Sequence, residues 1–338
     1  MELLDALKSQ IKKVNNDRHY WLVRTMGGDF FEEFSQRGYI AIGYNEITID
    51  EIKLANSYKE KTGEHLKTII ELKKLKSPEG EDINVQYAAT QLLKFHNEIN
   101  IGDIIIIPSR NSDFVVFASI ESDVYEEKNT SYLTGICNFN KRRKIKVIRK
   151  LFRSKLNPKM IQMFSSRHIV SNVDNYAEFI DGSILNYYQK DDTTYLVLRV
   201  LEEDNLRALD FGIVPELVNL LKEYADENSL DINTDEVKAK ICVQSVGDIL
   251  MFAPSWESIT IMGMFILLIK GGEMSFNKEN GFKLKTGNIL HSVSEFLDRR
   301  KDRQFKDSMK KKLDNMKIDT PDDFTKVMKE FQDKRESY

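Results

Sequence analysis

Short apolar runs alternate with helically spaced apolar residues through the first half of the chain. Runs rich in β-branched and aromatic residues are typical of short strands, and five occur there: Tyr20–Arg24, Tyr39–Gly43, Ile104–Ile107, Phe114–Ile120 and Lys144–Ile148. Closely spaced phenylalanines, a Thr48–Glu51 capping pair and the apolar spacings between Val85 and Ile99 predict helices between the strands. This order favours a small curled sheet with helices at its ends over a doubly wound parallel sheet.

The second half shows further strand and helix patterns. Thr194–Leu201, Lys238–Val243 and Phe282–Leu284 are typical of strands, and Pro215 suits the first turn of a helix that continues to Tyr224. We therefore expect an α+β protein in four parts. These are an N-terminal helix at residues 1–18 with Leu3, Leu4, Leu7 and Ile11 on one face, a curled β-barrel module at 19–188, a second α+β domain at 189–297, and a charged helical tail at 298–338.

One segment, Ile259–Ile269, is apolar except for Thr260. Eleven residues are too few to cross a membrane as a helix, which needs about 20. The pattern predicts a buried strand or helix in a protein core, and membrane contact is not expected. The alternatives are a helix at an oligomer interface, in which case residues 249–270 would drive self-association, and, less favoured, a helix at a membrane surface.

Composition sets broad limits on function. The formal net charge is −3, with 41% hydrophobic and 30% charged residues, so any attraction to nucleic acid must come from a local patch. Cys137 and Cys242 are far apart and are expected to be buried thiols in a reducing, cytoplasmic setting. The first residues lack the apolar run of a signal peptide. No nucleotide-binding glycine motif and no metal-ligand spacing of histidines is present, so we expect no cofactor and no metal.

The strongest local charge signal is the segment from Lys141 to Lys155, which carries nine basic residues and no acidic one. Apolar residues interleave with the charges, so a strand followed by a helix start would turn the apolar side chains inward and the basic ones outward. Such a face pairs with phosphate groups. We predict phosphate contacts from Lys141, Arg142, Arg143 and Lys144. The alternative is a solvated face balanced by Glu126 and Glu127.

Aromatic, glycine and small polar residues gather where predicted strands end. If the sheet curls, these ends would meet around a hollow, and glycine would let a ligand approach the backbone closely. A tyrosine and an arginine would stack on a flat ring while amide and hydroxyl groups bond its edge. The predicted ligand-binding residues are Arg24, Gly28, Tyr44, Asn45, Ser109 and Arg110.

A metal-dependent nuclease site is a weaker candidate in the second half. Glu236 and Lys238 flank Val237 at the start of a predicted strand, with Asp210 and Asp231 upstream. Carboxylates and a lysine of this kind hold Mg²⁺ and orient a water. The same triplet is frequent by chance in a chain so rich in charged residues, and a solvated strand edge is the other interpretation.

The first half resembles a known family in the order of several short motifs. These are YWLVRTMGGDFFEEFSQRGYIAIGY (Tyr20–Tyr44), QLLKFHNEINIGDIIIIPS (Gln91–Ser109), FVVFASI and RRKIKVIRKLFRSKL. Together they resemble the N-terminal module of Mrr-type restriction proteins, which is similar to the small curled barrels of the PUA/EVE superfamily. The resemblance covers about residues 19–180. It implies a module that holds a modified or flipped nucleobase between strand ends and is joined to an effector, often a nuclease. The separated Asp and QxK strand of the Mrr nuclease half are not visible after residue 190.

Three hypotheses follow. The first is a non-enzymatic nucleic-acid reader, of DNA rather than RNA and of modified bases, in a restriction or anti-phage defence setting. The second is a divergent Mg²⁺-dependent nuclease that uses Glu236 and Lys238. The third is a self-associating effector or scaffold that senses a nucleotide-like ligand and assembles through residues 249–270.

Overall fold

The protein is an α+β chain, as the sequence pattern predicts. A computed structural model describes residues 7–76, 80–127, 137–202, 206–241, 247–271, 289–299 and 303–336. The chain forms two compact units. The front unit is Asp17–Ile184, and the rear unit combines Met1–Asn16 with Leu185–Tyr338. Cys242 and the predicted strand Phe282–Leu284 lie outside the described residues.

Strands are numbered through the whole chain, and the first, β1 (Lys12–Val14), belongs to the rear unit. The described strands of the front unit are β2 (Tyr20–Val23), β3 (Tyr39–Ile42), β4 (Ile104–Pro108), β5 (Phe114–Ile120), β6 (Tyr125–Glu126), β7 (Lys141–Phe152) and β8 (Val170–Asn172). They form one curled sheet in the order β3-β7-β5-β4-β2-β8, with β6 beside β7. β2 and β4 are parallel, and the other pairs are antiparallel.

Helices pack against the curl and close the front core. They are α1 (Phe31–Arg37), α2 (Ile49–Asn56), α3 (Thr62–Lys73), α4 (Val85–Leu93), α5 (Pro158–Ile161) and α6 (Ala177–Ile184). The predicted capping box is present: the Thr48 hydroxyl accepts from the Glu51 backbone N–H, and the Glu51 carboxylate accepts from the Thr48 N–H at 2.9 Å. α1 ends at Gly38, whose φ of 70° favours a residue without a side chain.

The rear unit has its own sheet and its own core. Its strands are β1, β9 (Tyr187–Lys190), β10 (Thr193–Val200), β11 (Lys238–Ile241) and β12 (Gly247–Ala253), in the order β1-β9-β10-β12-β11. The helices are α7 (Ile213–Asn228), α8 (Trp256–Ile269), α9 (Ile289–Arg299), α10 (Arg303–Asn315) and α11 (Asp322–Glu336).

The apolar segment at 259–269 is the central helix of the rear core. In α8 almost every side chain is buried, and Ile261, Met264 and Ile266 have no exposed surface. The preceding strand β12 is buried on the face of Ile249 and Met251. The prediction of a buried core segment is therefore confirmed, and the structure gives no support to the alternative of self-association through residues 249–270. No helix in the described part of the chain is long and apolar enough to cross a membrane.

The two ends of the chain also differ from the sequence prediction. Helical structure at the N-terminus is described only for residues 7–10, and Lys12–Val14 forms β1, which pairs in parallel with β9. A strand forms there because the buried Val14 and the backbone gain a partner strand, while Leu3 and Leu4 lie outside the described residues. The charged tail is part of the rear core, since Phe324 of α11 is fully buried against α8 at Gly263.

Candidate nucleic-acid interface

The basic segment forms most of β7, the longest strand of the front unit. Its first four residues pair with β3 on one edge, and Lys141 and Arg142 also pair with β6. From Ile145 onward the strand pairs with β5. The two ends of β7 therefore lie in different surroundings: the first part is held between strands, and the later part has one strand neighbour in the described residues.

The first three cations of β7 are buried, which corrects the prediction that they contact phosphate. Lys141, Arg142 and Arg143 are each exposed by 7% or less. The Lys141 ammonium donates to the carbonyls of Tyr44 and Ile47, both at 2.8 Å. Arg142 donates to backbone carbonyls of the segment that precedes it, at 3.0 and 2.9 Å.

Arg143 closes the end of a helix. After α4 the chain makes a single π-helical turn, Lys94–Glu98, and the last carbonyls of such an end have no partner within the helix. The Arg143 guanidinium donates to the carbonyls of Phe95 and His96, both at 2.9 Å, and to that of Ser122 at 3.1 Å. A buried cation requires such acceptors, because a charge without partners is costly inside a protein. The three buried cations therefore hold the front unit together.

Burial also changes the chemistry of Lys141. Loss of hydration lowers its pKa from the usual 10.5 to about 8, although Glu126, Glu46 and Glu51 act in the opposite direction. At neutral pH the ammonium is still charged and bonded to carbonyls. The group is a structural cation whose protonation affects stability at alkaline pH.

The remaining cations of β7 are on the surface. Lys144, Lys146 and Lys150 are exposed and Arg149 is partly exposed, as is Arg153, which directly follows the last residue of the strand. Lys146 lies opposite Ser119 and Arg149 lies opposite Phe117, two residues apart on β5, so Lys146 and Arg149 face the same way. The β-bulge that leaves Ile148 unpaired produces this alignment. Lys144, two residues before Lys146, joins the same face.

Apolar side chains interrupt this charged surface. Val147, Ile148 and Phe152 are exposed by 40%, 38% and 56%. Phe152 lies opposite Phe114 on the other face of the strand, and the ring centroids are 4.6 Å apart. Val147 and Lys150 share this face with Phe152, so one lysine lies between two exposed apolar side chains there.

Neighbouring groups fix some of these cations. One Arg149 nitrogen donates to the Ser183 carbonyl at 3.0 Å, and one Arg153 nitrogen donates to the Asn111 carbonyl at 3.1 Å. The Lys150 ammonium lies 3.6 Å from a Glu32 carboxylate oxygen and about 5 Å from the ring of Phe114. Anchored arginines retain other N–H groups for a ligand at a smaller entropic cost.

The strand ends of the predicted pocket meet only in part. The parallel strands β2 and β4 end side by side, and the Thr25 hydroxyl donates to the Pro108 carbonyl at 2.9 Å. Gly28 has a φ of 110°, and a Cβ placed on it would lie 2.4 Å from the backbone nitrogen of Arg110. Gly28 therefore permits close approach of the protein's own loop, where a ligand was expected. The Arg110 side chain is exposed and lies 3.3 Å from Asp29.

Most polar side chains of the predicted pocket bond the protein itself. Arg24 donates to the carbonyls of Phe164 and Ser166, with its Nε 3.1 Å from the latter. The Ser109 hydroxyl accepts from the Phe114 N–H at 2.9 Å. The Asn45 amide donates to the Asn138 carbonyl at 2.8 Å and accepts from the backbone N–H of residue 140 at 3.0 Å. These three side chains bond the backbone of loops. The sequence alone does not distinguish such a role from contact with a ligand.

Tyr44 lies just after the end of β3, next to Lys141 and a group of aromatic rings. Its carbonyl accepts from Lys141, and burial raises the pKa of its phenol. Next to it, a Cβ on Gly43 would lie 3.2 Å from the ring of Phe139, whose centroid is 5.2 Å from that of Phe30. Aromatic rings of the protein thus pack between the end of β3 and the turn after β2. Arg24, Tyr44 and Ser109 therefore each have partners within the protein.

The weaker nuclease candidate lacks a carboxylate cluster. Glu236 and Lys238 are exposed at the start of β11, and Glu236 accepts from the Asn233 amide at 3.2 Å. Asp210 is bonded to Arg207, and that guanidinium lowers the pKa of the carboxyl. Within the described residues no group of three or more His, Cys, Asp or Glu side chains could hold a metal ion.

Comparison with known proteins gives one match. Residues 21–167 match the model of a family described as a domain of unknown function (DUF8426). The matched segment lies inside the front unit and contains the whole of β7. No curated protein and no solved structure matches the chain.

Proposed function

We propose that the front unit binds nucleic acid through the surface-exposed part of β7. The observation that carries this proposal is a cationic surface on a single strand, with no acidic residue in its own sequence from Lys144 to Lys155. We call this surface the basic strand surface and define it by Lys144, Lys146, Arg149, Lys150 and Arg153.

Charge supports a polyanion as the ligand. The chain has a formal net charge of −3, so attraction depends on where the cations are placed. Alternate residues of a strand are about 6.7 Å apart, and the bulge adds Arg149 to the face that already carries Lys144 and Lys146. A row of cations on one rigid strand suits a ligand with regularly repeated phosphates. Release of counterions from such a ligand drives binding.

The resemblance to PUA/EVE-like modules of Mrr-type proteins supports the same proposal from an independent direction. Reading of a modified base and a role in restriction or anti-phage defence stay predictions of that resemblance. Arg24, Asn45 and Ser109 bond neighbouring loops, so we assign the nucleic-acid contact to the basic strand surface alone.

Charge reversal tests the proposal directly. The variant Lys144→Glu with Lys146→Glu should weaken binding of a fluorescein-labelled oligonucleotide at low salt by roughly tenfold or more, because two phosphate contacts become repulsive. The matched control is Lys326→Glu with Lys329→Glu, which makes the same change in net charge at exposed positions of α11. The control should bind like the wild-type protein in fluorescence anisotropy.

Two outcomes contradict the proposal. One is the absence of binding by the wild-type protein to single-stranded or duplex oligonucleotides at low salt. The other is an equal loss of affinity in both double variants, which would show that net charge matters and the basic strand surface does not.

A further inference from the structure

Phe152 is an exposed aromatic ring at the end of the basic strand surface. It is the most exposed of the large apolar side chains on β7. One side of its ring packs against the Phe114 ring at an interplanar angle of 40°. This contact orients the ring and leaves more than half of the side chain in solvent.

Two cations lie close to the ring in sequence. Lys150 lies two residues earlier on the same face, and Arg153 follows directly in the chain. The Arg153 guanidinium bonds the Asn111 carbonyl and lies 5.9 Å from the ring centroid of Phe164. Two acidic groups also lie nearby, Glu32 beside Lys150 and the exposed Asp113, whose carbonyl accepts from the Arg153 N–H.

We infer that the ligand of the basic strand surface is a single-stranded nucleic acid, one base of which stacks on Phe152. This inference rests on the proposed function and specifies its substrate class. In a duplex each base face is covered by its neighbours, so an exposed ring on a strand has no base face to contact. A single strand offers both its phosphates and its base faces, and proteins bind it by combining a cationic track with stacking rings.

The dimensions agree with a short single strand. From Lys144 to Phe152 β7 extends over eight residue steps, which is about 26 Å at the usual rise of a strand. Sites of this kind cover about 4–16 nucleotides. After its first four residues, β7 has no strand partner in the described part of the chain on the edge opposite to β5. Cations on both faces of β7 can therefore reach a nucleic-acid strand that lies along this edge.

The test compares three twelve-nucleotide ligands: oligothymidylate, an abasic oligomer with the same phosphates, and a duplex. Phe152→Ala should weaken oligothymidylate binding by about 5- to 100-fold, because a stacked base is lost. It should leave binding of the abasic oligomer unchanged. Phe152→Trp should retain affinity, and its fluorescence should be quenched by oligothymidylate and not by the abasic oligomer.

The outcomes separate this inference from the proposed function. If Phe152→Ala binds oligothymidylate like the wild-type protein while Lys144→Glu with Lys146→Glu loses affinity, the stacking inference is wrong and nucleic-acid binding stands. A preference of the wild-type protein for the duplex would also overturn the inference. If no variant changes any affinity, the proposed function fails as well.

Discussion

Adjacent basic residues of β7 have opposite roles at the residue scale. Lys141, Arg142 and Arg143 bond backbone carbonyls inside the front unit, whereas Lys144 and Lys146 are exposed. Lys141 and Arg142 lie between β3 and β6, and Arg143 bonds the carbonyls at the end of the π-helical turn. The Lys144 side chain extends into solvent although its backbone pairs with β3. Only the later cations are available to a ligand, so substitutions at the two sets should affect different properties.

Arg143 should contribute to stability in a way that Lys144 does not. Arg143→Ala leaves three carbonyls without their donor and should lower the free energy of unfolding of the front unit by about 3 kcal/mol. Arg143→Lys retains part of the bonding and should lower it less. Lys144→Ala, at the next position, should change it by less than about 0.5 kcal/mol. Urea denaturation measures all three, and equal losses at 143 and 144 would contradict the assignment.

Lys141 should make the stability depend on alkaline pH. Its pKa is about 8 in the folded protein and near 10.5 in the unfolded chain, so between these values the unfolded state binds more protons. Stability should therefore rise as pH increases from 8, by up to about 1 kcal/mol per pH unit. The comparison is with Lys141→Met between pH 7.5 and 9.5. A variant with the same pH dependence as the wild-type protein would show that Lys141 is not the group responsible.

At the element scale, the sequence predicted the structural features that depend on residues close together in the chain. The Thr48–Glu51 capping pair and the strands around Ile104 and Phe114 depend on neighbours in sequence, and the structure has them. Which cations of β7 are buried depends on strand pairing with β3, about a hundred residues away, and on the end of α4. Sequence periodicity contains no such information.

The contacts of two predicted pocket residues depend on distant parts of the chain in the same way. Arg24 and Asn45 have side chains suited to a ligand, and the structure uses them to bond loops that follow much later in the chain. The apolar side chains of the basic segment are predicted to face inward, and the structure instead exposes Val147 and Phe152. Val147 lies beside the bulge and Phe152 ends the strand, and neither feature leaves a mark in the sequence pattern.

The contact between α8 and α11 can be tested through Gly263. Replacing glycine by alanine within a helix usually stabilises it by up to about 1 kcal/mol. At Gly263 the added Cβ would lie 2.6 Å from the Phe324 ring, so Gly263→Ala should destabilise the rear unit by about 1–3 kcal/mol. Gly63→Ala in α3 is the control, since its Cβ meets no atom within 4 Å, and it should be neutral or stabilising. Stabilisation by Gly263→Ala would contradict the packing described.

At the scale of the whole molecule, the chain combines two units with separate cores. The matched family model covers most of the front unit, which contains the basic strand surface. The rear unit has a core around α8 and, in its described part, no cluster of metal ligands. The proposed binding belongs to the front unit because the basic strand surface lies there, and the near-neutral net charge means that a local surface must account for any affinity for nucleic acid.

The salt dependence of binding tests this assignment most directly. The logarithm of the association constant of the full chain for a twelve-nucleotide single strand should fall linearly with the logarithm of salt concentration. The expected slope is roughly −3, from about 0.7 for each of four to five phosphate contacts. Lys144→Glu with Lys146→Glu should bring it to about −2, and Lys326→Glu with Lys329→Glu should leave it unchanged. A slope near zero, or one that the first pair of substitutions does not alter, would contradict binding through the basic strand surface.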